Sequence, residues 1–542
     1  MQNGYFRIER PENEKVRTYV PGSRERKQLK EELTRQANTV VKIPLIIGGK
    51  EVWTEDRGQV VMPHDHGHVL AEYCRGGERE LRMAVEAAMA AREQWAAMDT
   101  DHRLSIFLKA ADLLAGPHRM EMVAATMLGQ SKTVCQAEGD AGCQLADFLR
   151  FNVYHLMNIY GDQPKNSEGV WNRMEYRPLD GFVAAVTPFN FTSIGGNLPT
   201  APAIAGNVVF WKPASTSVLS NYYFMRILME TGLPDGVINF VPSRGSDVSR
   251  FVVGDSRMAG FHFTGSTEVF SQVWKQVGNS IETYGTYPRL VGETGGKDFI
   301  FIHPSASVKA AAAAMVRGAY ENQGQKCSAA SRTYVPGSLW PKVREMVLEE
   351  IGKLNVGDVR DFRNFMGAVI DEASFRKIAA AIDQARASEE AEVLCGGYDG
   401  KKGWFIYPTL IEAKTPYYRS MVEELFGPVM TVYVYDDEKL EETVKICDGS
   451  TAYGLTGAIF ANDRKAIEQL EKWLTHAEGN LYINDKPTGT TVGQQPFGGA
   501  RASGTNDKAG SILNMQRWVS PRVVKECYVP CEDIAYPFME EE

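Results

Sequence analysis

The sequence predicts an α/β protein: one doubly wound domain followed by a second α/β domain. Three observations carry this. Short continuous apolar runs, Phe182-Val183-Ala184-Ala185-Val186 among them, alternate with helical segments, as strands of a parallel sheet covered on both faces do. The same strand-then-helix rhythm starts again after Gly296. The 542 residues also exceed the size at which a single hydrophobic core stops growing, so two or three domains are expected.

In chain order, residues 1 to about 45 read as a polar arm carrying one helix over 23–40. Residues 45–53 read as a hairpin turned by Gly48-Gly49. Residues 78–95 and 103–115 have apolar positions at helical spacing, and long helices continue over 120–160 with a break at 131–136. Residues 172–178 alternate and predict an edge or interface strand. Strands follow at 182–186, 207–211, 237–241 and 260–263, with a helix over 217–232. After Gly296 come a strand at 299–302, an alanine-rich helix over 306–321, and strands at 332–335, 429–435 and 457–460. Residues 522–525 are strand-like within a polar tail.

Composition narrows the function. An apolar fraction of 44% and a charged fraction of 23% describe an ordinary globular protein. A net charge of -9 argues against a dedicated nucleic-acid or anionic-membrane binder. The eight cysteines are scattered, with no C-x-x-C pair and no closely spaced histidine partners, which predicts neither a disulfide scaffold nor a metal site. The cluster His64-Asp65-His66-Gly67-His68 follows Pro63 and reads as a solvated loop. Residues 181–211 carry no charge, but Pro188, Pro199, Pro202 and Gly195-Gly196 favour buried strands and loops over a membrane span. No secretory signal is visible, so a cytoplasmic setting is expected, or the mitochondrial matrix if a presequence has been removed.

The candidate chemistry centres on Glu321-Asn322-Gln323-Gly324-Gln325-Lys326-Cys327-Ser328. A thiol between a glycine-rich turn and small residues, beside a lysine, suits an open electropositive setting for a thiolate nucleophile. Taken alone, the octapeptide is equally a buried structural cysteine. Glu293, flanked by glycines after a strand, has the freedom a general base needs, or is a turn glutamate. Asn190 follows a buried strand, where an amide either serves an oxyanion or shapes a turn. Gly265-Ser266 opens a helix as a phosphate-binding turn does, without a G-x-G-x-x-G fingerprint. Lys212 after a strand can reach a ribose or phosphate, Glu424 can accept from ribose hydroxyls, and Phe426 can pack on a flat ring, although each is also an ordinary surface residue.

Together and in this order the segments resemble the aldehyde dehydrogenase superfamily. The carriers are Pro188-Phe189-Asn190, Trp211-Lys212-Pro213, Phe263-Thr264-Gly265-Ser266, Glu293-Thr294-Gly295-Gly296-Lys297, Gly324-Gln325-Lys326-Cys327, Glu424-Leu425-Phe426-Gly427-Pro428 and Pro496-Phe497-Gly498-Gly499. Phe189 before Asn190, Ser328 after the cysteine and the run from Gly493 through Pro496-Phe497 to Lys508 bring the resemblance closest to the Δ1-pyrroline-5-carboxylate dehydrogenase family.

That resemblance implies an aldehyde dehydrogenase-like fold: a Rossmann-like NAD domain, an α/β catalytic domain and a small β oligomerisation flap. The implied boundaries are an arm at 1–44, the NAD domain at 45–296 with 161–180 lending an oligomerisation hairpin, and the catalytic domain at 297–485. A return to the NAD and substrate region at 486–515 and a C-terminal oligomerisation segment at 516–542 complete it. It implies NAD-dependent oxidation of L-glutamate γ-semialdehyde to L-glutamate, with Cys327 as nucleophile, Glu293 as base and Asn190 as oxyanion donor. Phe189, Lys212, Ser215, Gly265, Ser266, Glu424 and Phe426 would face NAD, while Ser328, Gly489, Thr490, Phe497 and Gln144 would face substrate. No metal is implied; a homodimer or higher homo-oligomer is, with no nucleic acid and no membrane insertion. Two departures stand out. Gln144 occupies a position where related enzymes usually have a glutamate facing the substrate ammonium, which opens the alternative of another semialdehyde acid. Ser215 replaces a ribose-binding glutamate of many members, which leaves room for weaker NADP use. A catalytically silent structural member is the remaining alternative.

Overall fold

In the computed structural model, which describes residues 6–541, two seven-stranded sheets organise the chain. Residues 1–5 of the predicted arm and residue 542 of the C-terminal segment lie outside the described residues. The first sheet runs in the order Arg289–Glu293, Met258–Thr264, Phe182–Val186, Val208–Lys212, Ile238–Phe240, Leu45–Ile47, Lys50–Val52. Its first five strands are parallel, and the hairpin at its edge is antiparallel. Gly48 and Gly49 turn that hairpin with φ of 56° and 72°, a conformation a side chain would strain. The central strands are buried almost throughout, which explains their uninterrupted apolar sequence.

The second sheet runs Ala391–Asp399, Phe405–Ala413, Val429–Tyr435, Ala330–Pro336, Asp298–Ile302, Thr456–Phe460, Asn480–Ile483. Separate apolar clusters cover it, one containing Phe299, Phe301 and Ile378, the other Ile300, Ile302 and Val343. Alternation along Asp298–Ile302 therefore sends successive side chains into different cores. Phe405–Ala413 has no apolar run as clear as that of its neighbours, and its antiparallel partner Ala391–Asp399 is half exposed. Neither was legible as a strand.

Two expectations need correction. Residues 192–204 form a helix, not loops, although Pro199 and Pro202 lie inside it. Pro202 lacks the N–H that Leu198 O needs, and the Nδ1 of His262 takes its place at 2.9 Å. The terminal carbonyls of Ala203 and Ile204, which any helix end leaves free, accept from Trp95 Nε1 and Arg103 Nε. Second, the histidine cluster is not a solvated loop. It closes the hairpin of Arg57–Met62 and Asp65–Cys74, with His64 buried against Ser131 Oγ at 3.1 Å. The expected interface strand, Val170–Arg177, pairs antiparallel with Ser520–Cys527 of the C-terminal segment, forming a ribbon apart from both main sheets.

Candidate active site

The parallel strands of the first sheet end together. Register pairs Val186 with Lys212, Phe263 with Val186, and Thr264 with Glu293, so four strand ends share one edge. Asn190, Lys212, Gly265-Ser266 and Glu293 all stand on or just beyond those ends, where open α/β sheets bind ligands. The helix Val308–Tyr320 of the second half delivers Cys327 to the same edge.

Cys327 and Glu293 meet directly: Sγ donates to Glu293 Oε1 at 3.0 Å. Burial raises the Glu293 carboxyl to about 7, against the lowering effect of the thiol hydrogen bond. Burial and then the adjacent Glu293 push the Cys327 thiol well above its ordinary value. The setting is therefore neither open nor electropositive, contrary to expectation. Cys327 is buried, and the Lys326 ammonium is spent on Glu321 Oε2 at 3.2 Å. The thiol has a proton acceptor at hand instead of a cation.

Asn190 is buried and its Nδ2 donates to Gln325 O at 3.2 Å, two residues before the cysteine. Its amide thus lies against the loop that carries Cys327, not in a remote turn.

Beside this pair opens a cavity of about 260 Å³ lined by Glu293, Lys326, Ser328, Gly489, Thr490, Phe497 and Gln144. All five expected substrate residues are on its wall. Ser328 Oγ and Thr488 Oγ1 share a hydrogen bond of 2.8 Å, and Thr490 Oγ1 one of 3.0 Å with Tyr482 OH. Gly489 takes φ of 100°, which turns the loop without side-chain cost. Phe497 is held by a two-way backbone bridge to Ala509. Gln144 Nε2 donates to Thr490 O at 3.0 Å, a bond a glutamate could not make while ionised.

On the other side of Cys327 lies a narrow crevice lined by Glu424 and Phe426. Glu424 Oε1 accepts from the Gly296 amide at 2.9 Å, and a Cβ on Gly295 would run into this carboxylate. Phe189 meets Phe426 edge to face at 5.8 Å. Lys212 is lowered to about 8 by burial alone, the mark of an ammonium without an anionic partner. Ser266 caps the helix Thr267–Asn279 through Val269 N, and Ser215 is exposed at the first turn before Val218–Glu230. The Gly265 amide is already spent on Glu293 O at 3.2 Å. A free lysine, a carboxylate held in a glycine cradle and two aromatic rings fit a dinucleotide, with Ser266 rather than the Gly265 amide left to meet its phosphates.

Sequence reading missed the support beneath the cavity. Asp140 accepts from the Thr192 and Ser193 amides at 2.9 and 2.8 Å and pairs with Lys132 at 2.7 Å. Lys132 Nζ in turn sits 3.9 Å over the ring of Phe191, which lines the cavity. Phe191 directly follows the Pro188-Phe189-Asn190 segment; no local spacing marks Lys132.

The comparisons agree with this geometry. The model of the aldehyde dehydrogenase family matches residues 53–524. A Dictyostelium discoideum protein named Delta-1-pyrroline-5-carboxylate dehydrogenase, mitochondrial, is 50% identical over 536 residues, covering 98% of this chain and 96% of its own. The human protein of that name is 47% identical, covering 97% of this chain and 94% of its own. The structure of the Mycobacterium tuberculosis Delta-pyrroline-5-carboxylate dehydrogenase bound with NAD superimposes with a TM-score of 0.96 at 47% identity, covering 100% of both chains.

Proposed function

The chain belongs to the aldehyde dehydrogenase family, and on that premise we propose that it oxidises L-glutamate γ-semialdehyde to L-glutamate with NAD, a step of proline catabolism. The semialdehyde stands in spontaneous equilibrium with Δ1-pyrroline-5-carboxylate. The observation that carries the reading is the hydrogen bond from Cys327 Sγ to Glu293 Oε1 at 3.0 Å, set between a cavity and a dinucleotide-compatible crevice.

In this reading Glu293 takes the thiol proton as Cys327 Sγ bonds to the aldehyde carbon. Asn190 Nδ2 and the Cys327 amide donate to the oxygen that becomes negative. NAD, when bound, supplies the two-electron acceptor of the oxidation. Glu293 releases that first proton to solvent, then takes one from water as the acyl group is hydrolysed from sulfur, and the acid leaves. Ser328 with the Gly489 and Thr490 amides addresses the α-carboxylate, Phe497 covers the aliphatic stem, and Gln144 faces the amino end. Lys212, Glu424, Ser266, Ser215, Phe189 and Phe426 hold the cofactor.

A second reading, a semialdehyde acid without the α-amino group, is favoured by one observation: Gln144 is uncharged and its amide is engaged by Thr490 O. The ribbon of Val170–Arg177 and Ser520–Cys527 exposes Trp171 and Val523 and is the surface on which copies of the chain would associate. Among the described residues no helix is long and apolar enough to cross a membrane. The cytoplasm is the compartment this reading takes, or the mitochondrial matrix where a presequence is removed.

The test is NADH formation with glutamate semialdehyde against a panel of other aldehydes, in the wild type and in Cys327→Ser. Semialdehyde-dependent NADH that vanishes in the variant supports the reading; turnover of simple aldehydes alone would overturn it.

A further inference from the structure

The chain between the helix Val308–Tyr320 and the strand Ala330–Pro336 does not pass straight through Cys327. Asn322, Gln323 and Gly324 take left-handed backbone angles, with φ of 55°, 57° and 62°. Position 324 needs glycine, because a Cβ there would collide with Gly427 O. Two consecutive residues with side chains in that region are uncommon, and both of these are buried. Such a turn persists only where its surroundings over-determine it.

The side chain of Gln323 supplies the determination. Its Nε2 donates to Ser131 O and to Ala368 O, each at 2.9 Å, and its Oε1 accepts from Gly367 N at 3.2 Å. Both amide hydrogens and the carbonyl oxygen are therefore satisfied by backbone from two other segments. The second of those contacts is itself fixed. Ser131 is left-handed, φ 53°, and its Oγ accepts from Ala368 N at 2.9 Å while lying 3.1 Å from His64 Nδ1. Ser131, Gly367-Ala368 and Gln323 thus form a closed clamp, four residues before the nucleophile. The side chain of Gln325 adds a 3.0 Å bond accepted from Ile370 N and a longer 3.4 Å bond donated to Phe426 O.

We propose that Gln323 is a positioning residue of this active site. By pinning the left-handed turn to Ser131 and Gly367-Ala368, it sets the direction in which the chain presents Cys327 Sγ to Glu293. It is not on the wall of the cavity or of the crevice, so it acts through the backbone alone. The inference rests on the reading of Cys327 as nucleophile.

The experiment compares Gln323→Ala, Gln323→Glu and Gln323→Gly with wild type and Cys327→Ala, each scaled to its folded fraction from the melting transition. Gln323→Ala and Gln323→Glu should lower kcat by roughly 100-fold, the size of effect a misplaced reacting group produces, with KM for the semialdehyde unchanged. Alkylation of Cys327 by iodoacetamide should change in rate with them. Gln323→Gly, which accepts the left-handed angle but lacks the clamp, should fall between Ala and wild type. Wild-type kcat and alkylation in Gln323→Ala would overturn the proposal, as would a loss confined to KM. An active Cys327→Ala would overturn the assignment of the nucleophile. An inactive Cys327→Ala beside a fully active Gln323→Ala would overturn this inference alone.

Discussion

Glu293 Oε1 accepts the thiol hydrogen of Cys327 across 3.0 Å, so the proposed nucleophile and base share one proton. The base works only when ionised. With the Glu293 carboxyl raised to about 7 by burial, its carboxylate is scarce below that pH and dominant above it. kcat should therefore rise with pH through about 7, and a flat profile there would contradict the role. Glu293→Gln should lose about 10²–10⁴ in kcat. Linkage gives the same residue a stability signature. Its folded value is raised from 4.5, so its stabilising contribution is whole below the unfolded value and lost as pH rises through about 7. Glu293→Gln should accordingly melt higher than wild type in alkaline buffer and lose that advantage in acid, as calorimetry at the two pH values would read.

How much of this was legible follows from what each signal depends on. Strands such as Phe182–Val186 and Asp298–Ile302 announce themselves because both faces are buried, so every residue is apolar. The half-exposed Ala391–Asp399 carries no such mark. The helix Thr192–Ile204 contradicts its local prolines, and the donor that serves the Leu198 carbonyl freed by Pro202 is His262, far away in sequence. The same limit governs the site. Glu293 and Asn190 were visible as residues at strand ends, but Lys326 reads as an activating cation until Glu321 is seen to neutralise it. The bond from Gln144 to Thr490 spans 346 residues, and no periodicity points across that distance.

Lys212 is the residue through which pH should reach the cofactor. Burial lowers its ammonium to about 8. Below that value it carries the charge that attracts a phosphate-bearing ligand; above it the charge is lost. KM for NAD should rise as pH passes about 8 while kcat at saturating NAD holds, and Lys212→Arg, charged throughout, should remove the rise. A pH-independent KM for NAD in wild type would show that the charge is not used.

Gln144 tests which aldehyde the cavity prefers. A glutamate there would gain an ion contact with a substrate ammonium, worth roughly 1.5–3 kcal/mol, and lose the donor to Thr490 O, worth about 1 kcal/mol. The balance is a net gain of about 1 kcal/mol, or roughly fivefold in KM. Gln144→Glu should lower KM for glutamate semialdehyde by about that factor and raise it for a semialdehyde acid lacking the amino group. Equal KM values for both substrates before and after would remove the ammonium from the account.

The arm before the first helix is latched to the cavity wall by a buried ion pair, and its loss should be felt as instability. Arg119 pairs with Glu138, and neither side chain is more than 1% exposed. Arg119 also reaches Glu14 Oε1 at 2.9 Å and Lys15 O at 2.7 Å, while Glu138 accepts from Arg17 N at 2.8 Å and Tyr19 OH at 2.7 Å. Segment 14–19 is thereby tied to Glu138–Gln144, the π-helical turn that ends in Gln144. Removing one partner strands a charge in a medium that cannot solvate it, at a cost of about 3–5 kcal/mol. Arg119→Met should lose that much in urea unfolding. Arg119→Met combined with Glu138→Leu should lose less than the single variant, because no orphan charge remains even though the arm's contacts are gone. A double variant less stable than Arg119→Met would mean that the latch, and not the charge, dominates. Limited proteolysis near residues 14–19 would then separate the two effects, since a freed arm is cut faster in both variants.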